Sequence, residues 1–204
     1  MNYSTLAFSE AAKKIQEKAG SRMNYARMEK HAYTDGLTEN EKEYISDRDS
    51  FYMSTVGENG FPYIQFRGGP KGFLKMLDKD TLGFIDFRGN MQYVSVGNLA
   101  TNNKVALILM DYPAKARLKI YAEAEVVELK NNPELFGKLD LSDYKFRPER
   151  MIVLHVKAYD WNCPQHITPR YTMKEIEDAF SSQANYISKL EEEINILKSK
   201  NANT

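Results

Sequence analysis

The 204 residues include 28 basic and 28 acidic side chains, so no net charge draws the chain toward nucleic acid or an anionic membrane, and any cation that matters acts locally. That length closes one sizeable hydrophobic core and is short for two. The single cysteine, Cys163, excludes an internal disulfide; with no leader pattern and no apolar run near the roughly 20 residues of a membrane span, a cytoplasmic protein is expected.

Residues 1–49 read as a polar helical arm. Ser9 to Lys18 is rich in Ala, Lys, Glu and Gln, and Thr38-Glu39-Asn40-Glu41 is a capping box opening a helix toward Asp49. Over residues 50–171 the texture changes to short runs of Val, Ile, Phe and Tyr punctuated by Gly, Asn, Asp and Pro. Strands are predicted at 51–56, 61–67, 73–77, 81–87, 105–111, 117–128 and 151–160, with a short helix over 91–99. Asn59-Gly60 supplies the positive φ of a tight hairpin between the first two strands. Antiparallel strands on short turns favour a closed barrel, which has no exposed edges, over an open sheet packed by helices. Residues 172–204 are predicted to form a final helix, capped by Thr172 and Glu175, with Ile176, Phe180, Ile187, Leu190, Ile194 and Leu197 along one side. That stripe fits a short coiled coil across a dimer, or a helix packed on its own domain or on a partner subunit.

Four segments could carry chemistry. On the second strand, alternation puts Tyr63, Gln65 and Arg67 on one face and Ile64 and Phe66 on the other. The strand runs into Gly68-Gly69-Pro70-Lys71-Gly72, which is either an anion cradle of free N–H groups or a plain glycine turn. Ile85 and Asp86 lie on the strand that ends in Gly89-Asn90-Met91-Gln92. These polar residues open the short helix, where a phosphate is well received, or simply cap it. Arg117, Lys119 and Tyr121 share one strand face opposite Leu118 and Ile120, as an anion site or an ordinary solvated face. The loop from Asp160 to Arg170 holds the only tryptophan, Trp161, with Gln165, His166 and two prolines; loops of this kind bind ligands, though a tryptophan can instead anchor a loop to the core. Cys163 and His166 are too few for a zinc site, and nothing marks an activated thiolate, so no metal centre and no Cys-His nucleophile are expected.

Taken in order, Pro62-Tyr63-Ile64-Gln65-Phe66-Arg67-Gly68-Gly69, Gly83 to Gln92, Arg117 to Ile120 and Asp160 to His166 resemble the pyridoxamine 5′-phosphate oxidase-like FMN-binding split-barrel family. The resemblance spans residues 51–171. It implies an α+β, mainly β fold: an antiparallel split β-barrel with an N-terminal helical arm and a long C-terminal helix. It also implies a homodimer with FMN between the subunits. Gln65, Phe66 and Arg67 would line the isoalloxazine and ribityl-phosphate path, with Ile85 and Asp86 following. Asn90, Met91 and Gln92 would meet the phosphate end, and Arg117, Trp161, Gln165 and Arg170 would approach from the partner or the closing loop. Met91 and Gln92 stand where the oxidases place basic residues, so the countercharge falls to Arg67 or Arg117. The substrate-binding Arg-x-His of the oxidases has no clean match in His166 to Arg170, which argues against pyridoxamine phosphate as substrate. The resulting expectation is an FMN-dependent oxidoreductase taking hydride from NAD(P)H or a small molecule, with Trp161 or Tyr63 as stacking wall and no protein nucleophile. A non-catalytic flavin- or haem-related binding protein that stores, buffers or senses the cofactor is the alternative, and a deazaflavin could replace FMN.

Overall fold

The computed structural model of the chain describes residues 1–161 and 164–201. Two compact units emerge, one of Met1–Asp111 with Ala116–Gln165, the other of Tyr112–Lys115 with the segment from His166 onward.

The first unit opens with four helices, α1 (Tyr3–Ala7), α2 (Glu10–Lys18), α3 (Arg22–His31) and α4 (Glu39–Ser46). Ser9 caps α2 by accepting from the Ala12 N–H. The expected capping box is formed at α4, where Glu41 accepts from the Thr38 backbone N–H at 2.9 Å and from its hydroxyl at 2.6 Å. Glu41 is buried, yet it also accepts from Trp161 Nε1 at 2.7 Å and Tyr159 OH at 3.3 Å. Burial pushes its pKa up, but the donors of Thr38, Trp161 and Asn40 outweigh that and hold the carboxyl below its ordinary value.

Seven strands follow: β1 (Ser50–Val56), β2 (Pro62–Gly68), β3 (Lys75–Asp78), β4 (Thr81–Phe87), β5 (Lys104–Asp111), β6 (Ala116–Glu128) and β7 (Pro148–Trp161), with α5 (Val94–Thr101) between β4 and β5 and α6 (Pro133–Leu139) between β6 and β7. All pair antiparallel in one sheet of order β2-β1-β5-β6-β7-β4-β3. The two edge strands β2 and β3 are not neighbours, so the barrel is split and the full closure favoured by the edge argument is not reached. Side chains bridge across the split instead. Phe51 on β1 meets Phe84 on β4 edge-on at 5.4 Å and stacks on Phe73 at 5.5 Å. Three strands lie between β1 and β4 in the sheet, so this contact requires the sheet to coil back on itself.

Alternation fills the interior. Phe51, Met53, Leu107, Leu109, Leu118, Ile120, Ile152 and Leu154 point inward and are almost wholly buried. β4 and the middle of β7 are buried on both faces because α6 covers the outer one, where Ile85, Met151 and Leu139 form a second small core. Tyr44 plugs another gap; its hydroxyl donates to Leu109 O at 3.1 Å and Ala116 O at 3.2 Å, and burial pushes its pKa up to about 12.

The second unit contains α7 (Met173–Asn201). Its capping box is formed as expected, with Glu175 accepting from the Thr172 N–H at 2.7 Å and the Glu175 N–H donating to Thr172 Oγ1 at 3.2 Å.

Candidate functional site

Alternation on β2 separates its faces as the pattern requires, but the sense is the reverse of a simple half-buried strand. Ile64 and Phe66 are exposed, with Phe66 edge-on to Tyr52 at 5.6 Å, while Tyr63, Gln65 and Arg67 line a cavity of about 240 Å³. Asp86, Asn90, Met91 and Gln92 line the same cavity, so six of the twelve residues singled out from sequence meet in one place.

The floor is an ion triad. Asp86 is only 4% exposed; Arg67 Nη1 donates to its Oδ1, and Arg150 Nη1 donates to its Oδ2 at 3.0 Å. Arg150 also reaches Glu149 at 2.9 Å, and Tyr93 OH donates to the other Glu149 oxygen at 3.1 Å. The triad depends on register, since Asp86 and Arg150 are direct partners across the β4–β7 pair and a register shift follows at Phe87. Such a bulge re-aims side chains beside a site. Arg67 Nε is buried with no hydrogen-bond partner, a state shared among the described residues only by Arg117 Nε.

The wall comes from the turn before α5. The helix begins at Val94 rather than near Met91, because Met91 and Tyr93 adopt left-handed φ values of 60° and 53° and Gln92 N–H donates to Asn90 Oδ1 at 3.1 Å. Non-glycine residues at positive φ store backbone strain of order 1–3 kcal/mol each, which typically gathers at ligand sites. Ser95, buried in the first turn of α5, donates to Gln65 Oε1 at 2.7 Å and fixes that amide.

The remaining residues stand elsewhere. Phe66 points outward and Ile85 belongs to the small core under α6. Trp161 takes the anchoring role, edge-on to Tyr44 at 4.6 Å and bonded to Glu41, and does not line the cavity in the single chain. Gln165 is exposed on the same unit. Arg170 lies in the second unit, 4.9 Å over the Tyr112 ring. Arg117 faces away from Leu118 and Ile120 as expected, while its neighbour Lys119 is taken up by Asp160 at 3.0 Å and the Tyr3 ring at 4.5 Å.

The glycine loop is no anion cradle. Gly69 N–H donates to Asp49 O at 2.9 Å and Gly72 N–H to Arg48 O at 3.2 Å, so these donors are used within the fold. A Cβ on Gly69 would come within 2.7 Å of the Phe73 ring, so the glycine is required by packing. Asn162 and Cys163 lie outside the described residues, and the metal-like pairing of Cys163 with His166 goes with them. No group of three potential ligands is placed to hold a metal among the described residues. None of the described helices is long and apolar enough to cross a membrane.

Ser95, Glu149 and Arg150 were not anticipated. Arg150 could have been found only through the pairing of β4 with β7; Ser95 is the second residue of α5, past the N-cap position held by Tyr93, so no capping signal marks it.

The family model described as pyridoxamine 5′-phosphate oxidase matches residues 37–159. No curated protein matches. Among solved structures, an FMN-binding protein from Syntrophomonas wolfei is 19% identical, covering 72% of this chain and 97% of its own at a TM-score of 0.48. HupZ from Group A Streptococcus is 14% identical over 66% of this chain and 99% of its own, also at 0.48. An F420 reductase is 18% identical over 63% and 98%, at 0.41.

Proposed function

This chain belongs to the pyridoxamine 5′-phosphate oxidase family, and on that premise we propose that it binds FMN and acts as an oxidoreductase on a small molecule or a nicotinamide donor. The observation that carries the reading is the cavity itself, where Arg67 meets Gln65, Ser95, Asn90 and Gln92 in one polar cleft. An anionic ligand oxygen there would gain charge-assisted hydrogen bonds from the guanidinium. These residues fit a phosphorylated flavin. Arg67 and Arg150 would supply countercharge, held in place by Asp86, while Asn90 and Gln92 would donate from their amides. Gln65, oriented by Ser95, would face the ring system or the ribityl chain.

Bound FMN would supply the redox chemistry, as flavins do. The protein's own part is to orient it, to exclude water from one side and to set the charge near the ring through the Arg67–Asp86–Arg150 triad. At about 240 Å³ the cavity is smaller than the roughly 300–1,000 Å³ of ordinary ligand sites, which favours a site completed by a second subunit. The exposed Tyr52, Ile64 and Phe66 on the outer face of β1 and β2 give a two-fold partner an apolar surface to cover. Arg117, half-buried and alternating with the buried Leu118 on β6, would then serve the partner's site.

Purified protein should be yellow or turn yellow with FMN, with a raised melting temperature; protein that stays colourless and unshifted refutes the proposal. Anaerobic mixing of the loaded protein with NADH and NADPH then separates an enzyme, whose flavin bleaches, from a storage or sensing protein, whose flavin does not. The mass of the ligand released from cells distinguishes FMN from a deazaflavin.

A further inference from the structure

α7 carries an exposed apolar side that the flavin reading does not use: Ile176, Phe180, Ile187, Leu190, Ile194 and Leu197. With Gln183 included, the steps along this side alternate strictly between four and three residues. That is the 3.5-residue repeat of a supercoiled seam, whereas a straight helix would drift by about 20° per heptad. Phe180, Ile187 and Ile194 take position a, and Ile176, Gln183, Leu190 and Leu197 take position d. In the C-terminal half, Ile187 and Ile194 at a with Leu190 and Leu197 at d are the combination that favours two parallel strands.

Charge points the same way. In a parallel pair, position g of one helix meets position e of the following heptad on the other. Here those are Glu193 and Lys198, which attract on both sides of the two-fold axis. Gln183 is the polar residue within the seam. A shifted register would bury it against a leucine or isoleucine, so the in-register pair, in which it meets its own copy, is favoured. An anionic lipid surface suits this helix poorly, because it has six acidic and four basic side chains, whereas interfacial helices are rich in Lys and Arg on the polar face.

We propose that α7 pairs with the α7 of a second copy of this chain as a parallel, in-register, two-stranded coiled coil over residues 176–197. The pairing needs neither flavin nor a flavin site.

The test uses the full chain with Cys163→Ser as background, carrying Ile176→Cys, Leu197→Cys or Glu192→Cys. Positions 176 and 197 are in the seam near its two ends; 192 is at the outward position f. Under mild oxidation the two seam variants should each yield a covalent dimer on a denaturing gel, at least ~10-fold more than Glu192→Cys. Glu193→Lys added to Leu197→Cys should slow crosslinking, and Lys198→Glu on top of it should restore the rate. Crosslinking only when the 176 and 197 variants are mixed would mean an antiparallel pair and overturn the proposal. Equal yield at all three positions, or none at the two seam positions, would overturn it as well. Flavin-free protein serves, so a failure here is distinct from a failure to bind FMN.

Discussion

Replacing Asp86 with Asn removes one charge from the floor of the cavity while keeping its shape. Asp86 holds two guanidinium groups, and their side chains are only 11% and 14% exposed at Arg67 and Arg150. Breaking a buried ion pair costs roughly 3–5 kcal/mol, because the remaining charge is left without a partner in a poorly solvated place. Arg150 keeps Glu149 at 2.9 Å, and the cavity admits some water, so the lower end applies, about 3 kcal/mol. For a chain of this size each kcal/mol shifts the melting temperature by roughly 2–4 °C, giving a fall of about 6–12 °C. Thermal unfolding followed by circular dichroism measures it. Arg67→Met alone leaves the Asp86–Arg150 pair intact and should cost less than Asp86→Asn; the double variant should fall short of the sum, by a coupling of roughly 0.5–3 kcal/mol. A melting temperature for Asp86→Asn within about 2 °C of the native protein, or strict additivity, would refute the triad as a buried electrostatic unit.

Glu41→Gln should cost about 2 kcal/mol through loss of a charged acceptor for Trp161 and Thr38, and should shift the emission of the single tryptophan to longer wavelength. Since the Glu41 pKa is lowered in the fold, its contribution is present above the unfolded glutamate's value near 4.3 and is lost as pH falls through the folded value, so Glu41→Gln should flatten the acid limb of the stability profile. Tyr44 works in the opposite sense: with its pKa pushed up to about 12, its stabilisation holds below the unfolded tyrosine's value near 10 and is lost as pH rises from there toward the folded value. Tyr44→Phe should weaken that alkaline limb and cost roughly 1 kcal/mol at neutral pH, as read by urea unfolding at several pH values.

Most of the sheet was legible because each strand carries its own period. Phe51, Met53 and Thr55 alternate with exposed or half-buried neighbours, and Asn59-Gly60, with Gly60 at φ 80°, turns the chain where expected. The capping boxes at Thr38 and Thr172 were equally local, and both are formed. α6 was missed although Asn132 and Pro133 mark its start; at seven residues it is too short to show a helical period. The inversion of β2 has a different cause. Alternation tells which residues share a face but not which face looks inward, and here the polar face of Gln65 and Arg67 turns toward the cavity while Ile64 and Phe66 are left outside.

The site itself divides in the same way. Gln65, Arg67 and Asn90–Gln92 could be read because they cluster in short polar stretches against strand ends. Arg150 could not, since it reaches Asp86 across 64 residues of chain through strand register alone. Trp161 was drawn toward the site by its rarity and its loop, whereas a buried carboxylate on α4 claims its indole N–H. The free N–H groups expected of the glycine loop are likewise taken by Arg48 and Asp49 carbonyls, which no local pattern reveals.

The central claim is that Arg67 anchors a phosphorylated flavin in this cleft, and titration of FMN into native and Arg67→Ala protein, followed by flavin fluorescence, tests it most directly. Saturable binding by the native protein, weakened roughly 10- to 150-fold in Arg67→Ala by loss of about 1.5–3 kcal/mol of charge-assisted contact, is the predicted result. Absence of saturable binding to the native protein, or equal affinity in the two, would contradict it.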